Sequence, residues 1–188
     1  GAIASRVGRF ELAHRGTLFI DEVALMSLSL QAKLLRALQE REIERVGESR
    51  PIKFDARVVA ASNMELKKMV KEGTFREDLY YRLNVIPITL PALRERREDI
   101  PLIARHFVQK SCKSNNLQLK TLTQEAVRAI MSYHWPGNIR QLENAIEHAV
   151  AMSGQEREIP ATALPADVME SSGSLLVPTV AIPDEGIN

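Results

Sequence analysis

The chain has 188 residues, 45% of them hydrophobic and 26% charged, with a formal net charge of +1. That length supports one sizeable core, or a core with a smaller subdomain, and the balanced charge excludes a bulk electrostatic attraction to nucleic acid or to a membrane surface. A lone cysteine, Cys112, excludes an internal disulfide and a cysteine-based metal site, in keeping with a reducing cytoplasm, and no apolar run reaches the ~18 residues of a membrane span.

The opening residue is Gly1 rather than Met, and the chain reads as a portion of a longer protein. In the first fifteen residues Phe10, Leu12 and Ala13 suit a short helix docked on the strand that follows. Thr17 to Ile20 are apolar or β-branched without a break, the pattern of a parallel strand buried on both faces. Asp21 and Glu22 end it, at the carboxyl end of a strand, where open α/β sheets bind ligands. Carboxylates there suit a metal-ion shell and the orientation or deprotonation of an attacking water in phosphoryl transfer. They equally suit a plain polar cap on a strand, and the local pattern leaves both readings open.

Ser29 to Arg41 carries Leu30, Leu34, Leu35 and Leu38 on one helical face, with Ser27 or Ser29 as N-cap. Glu42 to Val46 and Pro51 to Phe54 alternate around a glycine and predict a hairpin. Ala56 to Ala61 predicts a second buried strand, ending in Ser62 and Asn63. Asn63 suits a phosphate or water contact beside Asp21 and Glu22, and it also suits the cap of a helix from Met64 to Glu72. Phe75, Leu79 and Leu83 share the inner face of the next helix, whose Arg76 and Arg82 carry forked, permanently charged groups suited to a phosphate, or to ion pairs with Glu77 and Asp78. Val85 to Leu90 is a third strand candidate, with Pro87 favouring an edge.

Helices are expected near Ile100 to Ser114, Thr123 to Tyr133 and Asn138 to Met152, a small helical subdomain. Pro136-Gly137 sets a turn and Asn138 is expected to cap the last helix, so Arg140 emerges in its first turn, where a cation opposes the helix dipole and invites an anion or Glu143. From Gly154 onward the prolines and Ser171-Ser172-Gly173-Ser174 read as a linker or tail, with Val177 to Ile182 a weak strand candidate. The resulting division is 1–91 for the α/β portion, 92–168 for the helical subdomain and 169–188 for the tail.

Taken in order, Gly8-Arg9-Phe10-Glu11-Leu12-Ala13, Gly16-Thr17-Leu18-Phe19-Ile20-Asp21-Glu22, Phe75-Arg76-Glu77-Asp78-Leu79-Tyr80-Tyr81-Arg82-Leu83 and Trp135-Pro136-Gly137-Asn138-Ile139-Arg140 resemble the central ATPase domain of the sigma-54-dependent transcriptional activators, an AAA+ family. The resemblance spans roughly Gly1 to Val168 and implies a parallel-sheet AAA+ core followed by an all-α lid. It implies Asp21 and Glu22 as Walker B acids, for magnesium (through water) and for the attacking water, and Asn63 as sensor I. Arg76 and Arg82 become the fingers that reach ATP bound by a neighbouring subunit, Arg140 the sensor II arginine of the lid, and Arg41 to Pro51 the second pore-side loop.

Gly1 and Ala2 match the end of the family's loop that contacts the sigma factor. The phosphate-binding run Gly-x-x-x-x-Gly-Lys-[Ser/Thr] does not occur in the 188 residues; the first core strand and that loop are absent from the pattern, so weak or no ATP hydrolysis is expected of this chain alone. The parent implied is a cytoplasmic bacterial activator that uses ATP and Mg2+, assembles into a ring, usually a hexamer, and remodels sigma-54 RNA polymerase, with promoter-distal DNA bound by a separate domain and no membrane partner. The rival readings are a non-catalytic oligomerisation or binding fragment and another AAA+ class.

Overall fold

The computed structural model describes residues 7–45 and 50–173. The chain forms two compact units, residues 1–88 and 89–188.

The first unit opens with α1 (Arg9–Leu12), whose start is held by a single bond in which Gly8 N–H donates to Glu11 Oε1 at 3.2 Å. Next, β1 (Thr17–Ile20) pairs in parallel with β4 (Arg57–Ala60), Leu18 opposite Val58 and Ile20 opposite Ala60. Between them lie a 3-10 turn (Val23–Leu25), α2 (Leu28–Glu40) and the antiparallel hairpin of β2 (Glu42–Glu44) and β3 (Pro51–Lys53). Ser27 caps α2, accepting from Leu30 N–H. Arg41 ends α2 in the left-handed region (φ 55°), and its carbonyl accepts from Phe54 N–H at 2.9 Å, so one strained residue turns the helix into the hairpin and anchors its return. After β4 come α3 (Leu66–Lys71) and α4 (Glu77–Leu83).

Apolar faces of α2, α3 and α4 meet in a core of Leu34, Leu35, Leu38, Met69, Phe75 and Leu79, sealed by Val23 and Ala24. Each such side chain contributes roughly 1.5–3 kcal/mol of transfer free energy.

Some expectations for this unit fail. β1 is not buried on both faces: Phe19 is 59% exposed, because among the described residues β4 is its only strand neighbour and no helix covers that side. Leu30 is 48% exposed rather than inward and, with Leu12, Leu18 and Phe19, borders an open trough of about 1680 Å³. Helix α3 begins at Leu66 with Glu65 at its N-cap, so Asn63 does not cap it; the Ser62 hydroxyl instead accepts from Met64 N–H at 3.0 Å, holding the chain off the helix for two more residues. Val85 to Leu90 forms no strand. Ile86 and Leu90 are more than four-fifths exposed, and Pro87 lacks the N–H that a ladder needs.

The second unit starts with 3-10 turns at Leu93–Glu95 and Arg97–Asp99 and continues through α5 (Ile100–Ser114), β5 (Thr121–Leu122), α6 (Gln124–Ser132), α7 (Asn138–Met152), β6 (Glu158–Ile159), a further 3-10 turn (Ala161–Ala163) and α8 (Ala166–Gly173). Among the described residues it is helical apart from the two-residue parallel pairing of β5 with β6. Ile100, Ala104, Ile130, Trp135, Leu142, Ile146, Ala149 and Ile159 are fully enclosed. The stretch read as a linker from Gly154 is therefore structured as far as Gly173: Ile159, Leu164 and Val168 are buried, and their burial outweighs the local breakers Pro160 and Pro165. The weak strand candidate at Val177 to Ile182 lies outside the described residues, as do Gly1 and Ala2 and the hairpin tip at residues 46–49.

Candidate functional site

Parallel pairing brings the carboxyl ends of β1 and β4 side by side, and backbone bonds lace them together. Ala61 N–H donates to Ile20 O at 2.8 Å, and Val23 N–H donates back to Ala61 O at 3.0 Å. Asp21 and Glu22 occupy the bend between these two bonds, both exposed. Glu22 sits in the left-handed region (φ 51°), a conformation that costs a non-glycine residue about 1–2 kcal/mol and that the lacing sustains. Its N–H donates to Asp21 Oδ1 at 2.9 Å, fixing the direction of that carboxylate. Asn63 follows two residues after Ala61, exposed, at the end of the neighbouring strand. The three residues predicted at the sheet edge thus share one edge.

The two arginines stand just before α4 and in its last turn, and they differ in how they are held. Arg76 is the N-cap, with extended backbone, and its guanidinium forks onto Asp78 through Nε at 3.0 Å and Nη2 at 2.7 Å. This bidentate pair raises the arginine's pKa and holds the Asp78 carboxyl below its ordinary range. Of the two acids offered by sequence, Asp78 and not Glu77 is the partner. Arg82 donates from Nη2 to Leu38 O at 2.8 Å, a cation on one of the last carbonyls of α2.

Sequence reasoning missed Gln31. It is fully buried on α2, and its amide donates to Met26 O (2.8 Å) and Thr74 O (3.2 Å) while its oxygen accepts from Arg76 N–H (2.9 Å). The signal was present: Gln31 falls three, four and seven residues before Leu34, Leu35 and Leu38, a polar residue within an apolar stripe. Also unforeseen is the fork from Arg45 to Glu11, with Nε and Nη2 at 3.1 and 2.8 Å, which joins α1 to the stem of the hairpin and lowers the Glu11 pKa.

In the second unit Arg140 is exposed in the first turn of α7. Glu143 does not serve it, being paired with Lys110 at 2.6 Å. Asn138 adopts φ 52° and its side chain accepts from Leu93 N–H at 2.9 Å, so it ties the 3-10 turn to α7 instead of capping the helix. Gly137 is required by space: a Cβ there would stand 2.8 Å from Gln141 Cβ, whose side chain accepts from Gly137 N–H.

Residues 1–89 match the family described as the sigma-54 interaction domain, and residues 94–176 match the AAA+ ATPase lid domain. The chain belongs to the sigma-54 interaction domain family and carries an AAA+ lid after it. Among relatives, it is 48% identical to the DNA-binding transcriptional activator HyfR of Escherichia coli over 98% of this chain and 29% of that protein. It is 55% identical to the regulatory protein AtoC of Escherichia coli over 81% of this chain and 33% of AtoC. The chain therefore spans about a third of the length of the curated relatives it matches. A crystal structure of NtrX from Brucella abortus in complex with ADP superposes with a TM-score of 0.82 at 37% identity, covering 90% of this chain and 39% of NtrX. A second, in complex with ATP, gives the same TM-score and identity over 88% of this chain and 38% of NtrX. The parallel sheet with a helical lid is thus the AAA+ arrangement of this family. Among the described residues no helix is long and apolar enough to cross a membrane.

Proposed function

We propose that this chain is the acid-bearing and lid portion of a bacterial cytoplasmic activator that couples ATP hydrolysis in a ring, of hexameric order, to remodelling of sigma-54 RNA polymerase. The observation that carries the reading is the laced edge of β1 and β4, which presents Asp21, Glu22 and Asn63 together on a rigid support. NtrX, a structural neighbour, binds ATP and ADP, and nucleotide is the ligand that fits this edge.

Asp21 offers magnesium a hard oxygen donor, reached through water, and its carboxylate is already oriented by Glu22 N–H. Bound Mg2+ supplies neutralisation of charge on the phosphate oxygens. Glu22 orients the attacking water and takes its proton, and Asn63 reports on the terminal phosphate from the adjacent strand. Arg76 and Arg82 serve the nucleotide of a neighbouring subunit, where a guanidinium stabilises charge that develops in the transition state. In this chain the Asp78 fork holds the Arg76 guanidinium at the start of α4. Arg140 contributes from the lid, Gly1 and Ala2 belong to the surface that meets the sigma factor, and DNA is bound by a separate domain. The phosphate cradle itself must come from residues other than these 188, which contain no Gly-x-x-x-x-Gly-Lys-[Ser/Thr].

The test is ATP turnover at several protein concentrations, comparing this chain with a form extended upstream through a phosphate-binding loop. The extended form is expected to turn over cooperatively with concentration, and Glu22→Ala and Arg76→Ala are each expected to lower the rate on the order of 10³-fold. Unaided turnover by the 188-residue chain would show that the phosphates bind elsewhere.

A further inference from the structure

Gln31 faces inward on α2 at a position where its stripe-mates are leucines, and it is fully buried. Taking a carboxamide out of water is unfavourable unless its hydrogen bonds are replaced, and here each is. Both donor bonds go to backbone carbonyls, Met26 O at 2.8 Å and Thr74 O at 3.2 Å, and the oxygen accepts from Arg76 N–H at 2.9 Å. Only a side chain with donor and acceptor at this reach can hold two carbonyls and an N–H at once. Thr74 and Arg76 flank Phe75, which is sunk in the core, so the amide grips the backbone on both sides of that anchor.

Arg76 is therefore fixed at two points. Gln31 sets its backbone and the Asp78 fork sets its guanidinium. We propose that Gln31 is a positioning residue for Arg76, holding the backbone from which that arginine reaches the neighbouring subunit's nucleotide. The inference rests on the trans role given to Arg76 above. A residue that merely filled the core would matter to every function of its subunit. One that positions Arg76 matters only in the subunit that donates the arginine.

That asymmetry is measurable in mixed rings of the full-length protein. One partner carries Glu22→Ala and keeps its arginine; the other carries Arg76→Ala and keeps its acids. Each alone is expected to turn over on the order of 10³-fold more slowly, and the mixture is expected to recover ATP turnover at sites where an intact acid pair meets a donated arginine. Gln31→Met is then added to one partner at a time. On the arginine donor the recovered turnover is expected to fall on the order of 10²-fold, the scale of a ~1 Å misplacement. On the partner that already lacks Arg76 it is expected to be unchanged.

Equal loss on both partners, or no loss on the donor, overturns the positioning role while leaving the trans reading intact. Failure of the two parent variants to complement at all removes the trans role of Arg76, and this inference with it. Should Gln31→Met chains not assemble, Gln31→Asn keeps a neutral carboxamide but draws it back by one methylene from Arg76 N–H, and the same asymmetry decides.

Discussion

The two units solve the same problem with different completeness. In the second, α5, α6, α7 and α8 close around Trp135, and the apolar residues of their inner faces find partners within the chain. In the first, α2, α3 and α4 enclose Leu79 as tightly, yet the far side of β1 and the first turn of α2 leave Leu12, Phe19 and Leu30 open on the trough. A helical unit satisfies its backbone internally and needs only apolar faces to meet. A two-stranded parallel sheet leaves both edges unpaired, and its β1 face carries apolar side chains that nothing among the described residues covers. The functional edge belongs to the less complete unit, where the Ala61 lacing fixes the edge itself, the Gln31 amide holds the start of α4 and the Arg45–Glu11 fork holds α1.

The largest expected effect tests the closed core. Trp135 is fully enclosed, donates from Nε1 to Ile130 O at 2.7 Å and meets the Tyr133 ring edge-on at 5.0 Å. Trp135→Ala is expected to cost about 3–5 kcal/mol, the usual range for such a truncation. Hydrogen exchange should show protection lost across α5, α6 and α7 while α2 keeps its own. Loss of α2 protection to the same degree would erase the distinction between the units.

A smaller effect tests the first unit's reliance on polar ties. The Arg45 fork, the Gly8 N–H and the Arg45 charge lower the Glu11 pKa from its ordinary value of 4.5. A carboxyl with a depressed folded-state pKa stabilises the fold fully above its unfolded value, and that contribution is lost as pH falls through the folded value. Stability of the first unit should therefore decline on acidification below about pH 4.5, and Glu11→Gln should flatten that part of the profile. Chemical denaturation followed across that window measures it; an unchanged slope would mean that the pair carries no net stabilisation.

How much of this was legible depended on whether a residue's fate is decided locally. The boundaries of α5 and α7 follow from apolar spacing, because Ile100, Ala104, Phe107 and Val108 repeat with the helical period and all become buried. The strand end carrying Asp21 and Glu22 was legible from the apolar run Thr17 to Ile20, while the two acids by themselves left a plain polar cap equally open. Val85 to Leu90 has the same apolar character, but a strand exists only if a partner pairs with it, and that is a property of the whole sheet. Before α8 the reverse holds: Pro160 and Pro165 read locally as linker residues, but Pro165 stands at the start of the helix, where its carbonyl accepts from Val168 and Met169 N–H, and the burial of Leu164 and Val168 holds the segment. Gln31 is the sharpest case at the site. Its amide serves backbone groups 43 and 45 residues away, and no local pattern names them.

The smallest expected effect is the one that best tests whether the open face is energetically idle in this chain. Phe19 is the largest side chain on the exposed side of β1, and a phenylalanine buried there would cost several kcal/mol to remove. At 59% exposure it has little transfer free energy to lose, so Phe19→Ser should shift stability by no more than about 0.5 kcal/mol. Denaturation at low protein concentration tests that expectation, and the same pair of proteins at high concentration tests its converse. Exposed apolar surface of this kind promotes association, so the serine variant should remain dispersed where the parent chain self-associates. A cost near that of Trp135→Ala would instead mean that the trough closes in solution, and the contrast between an enclosed lid and an open sheet would fail.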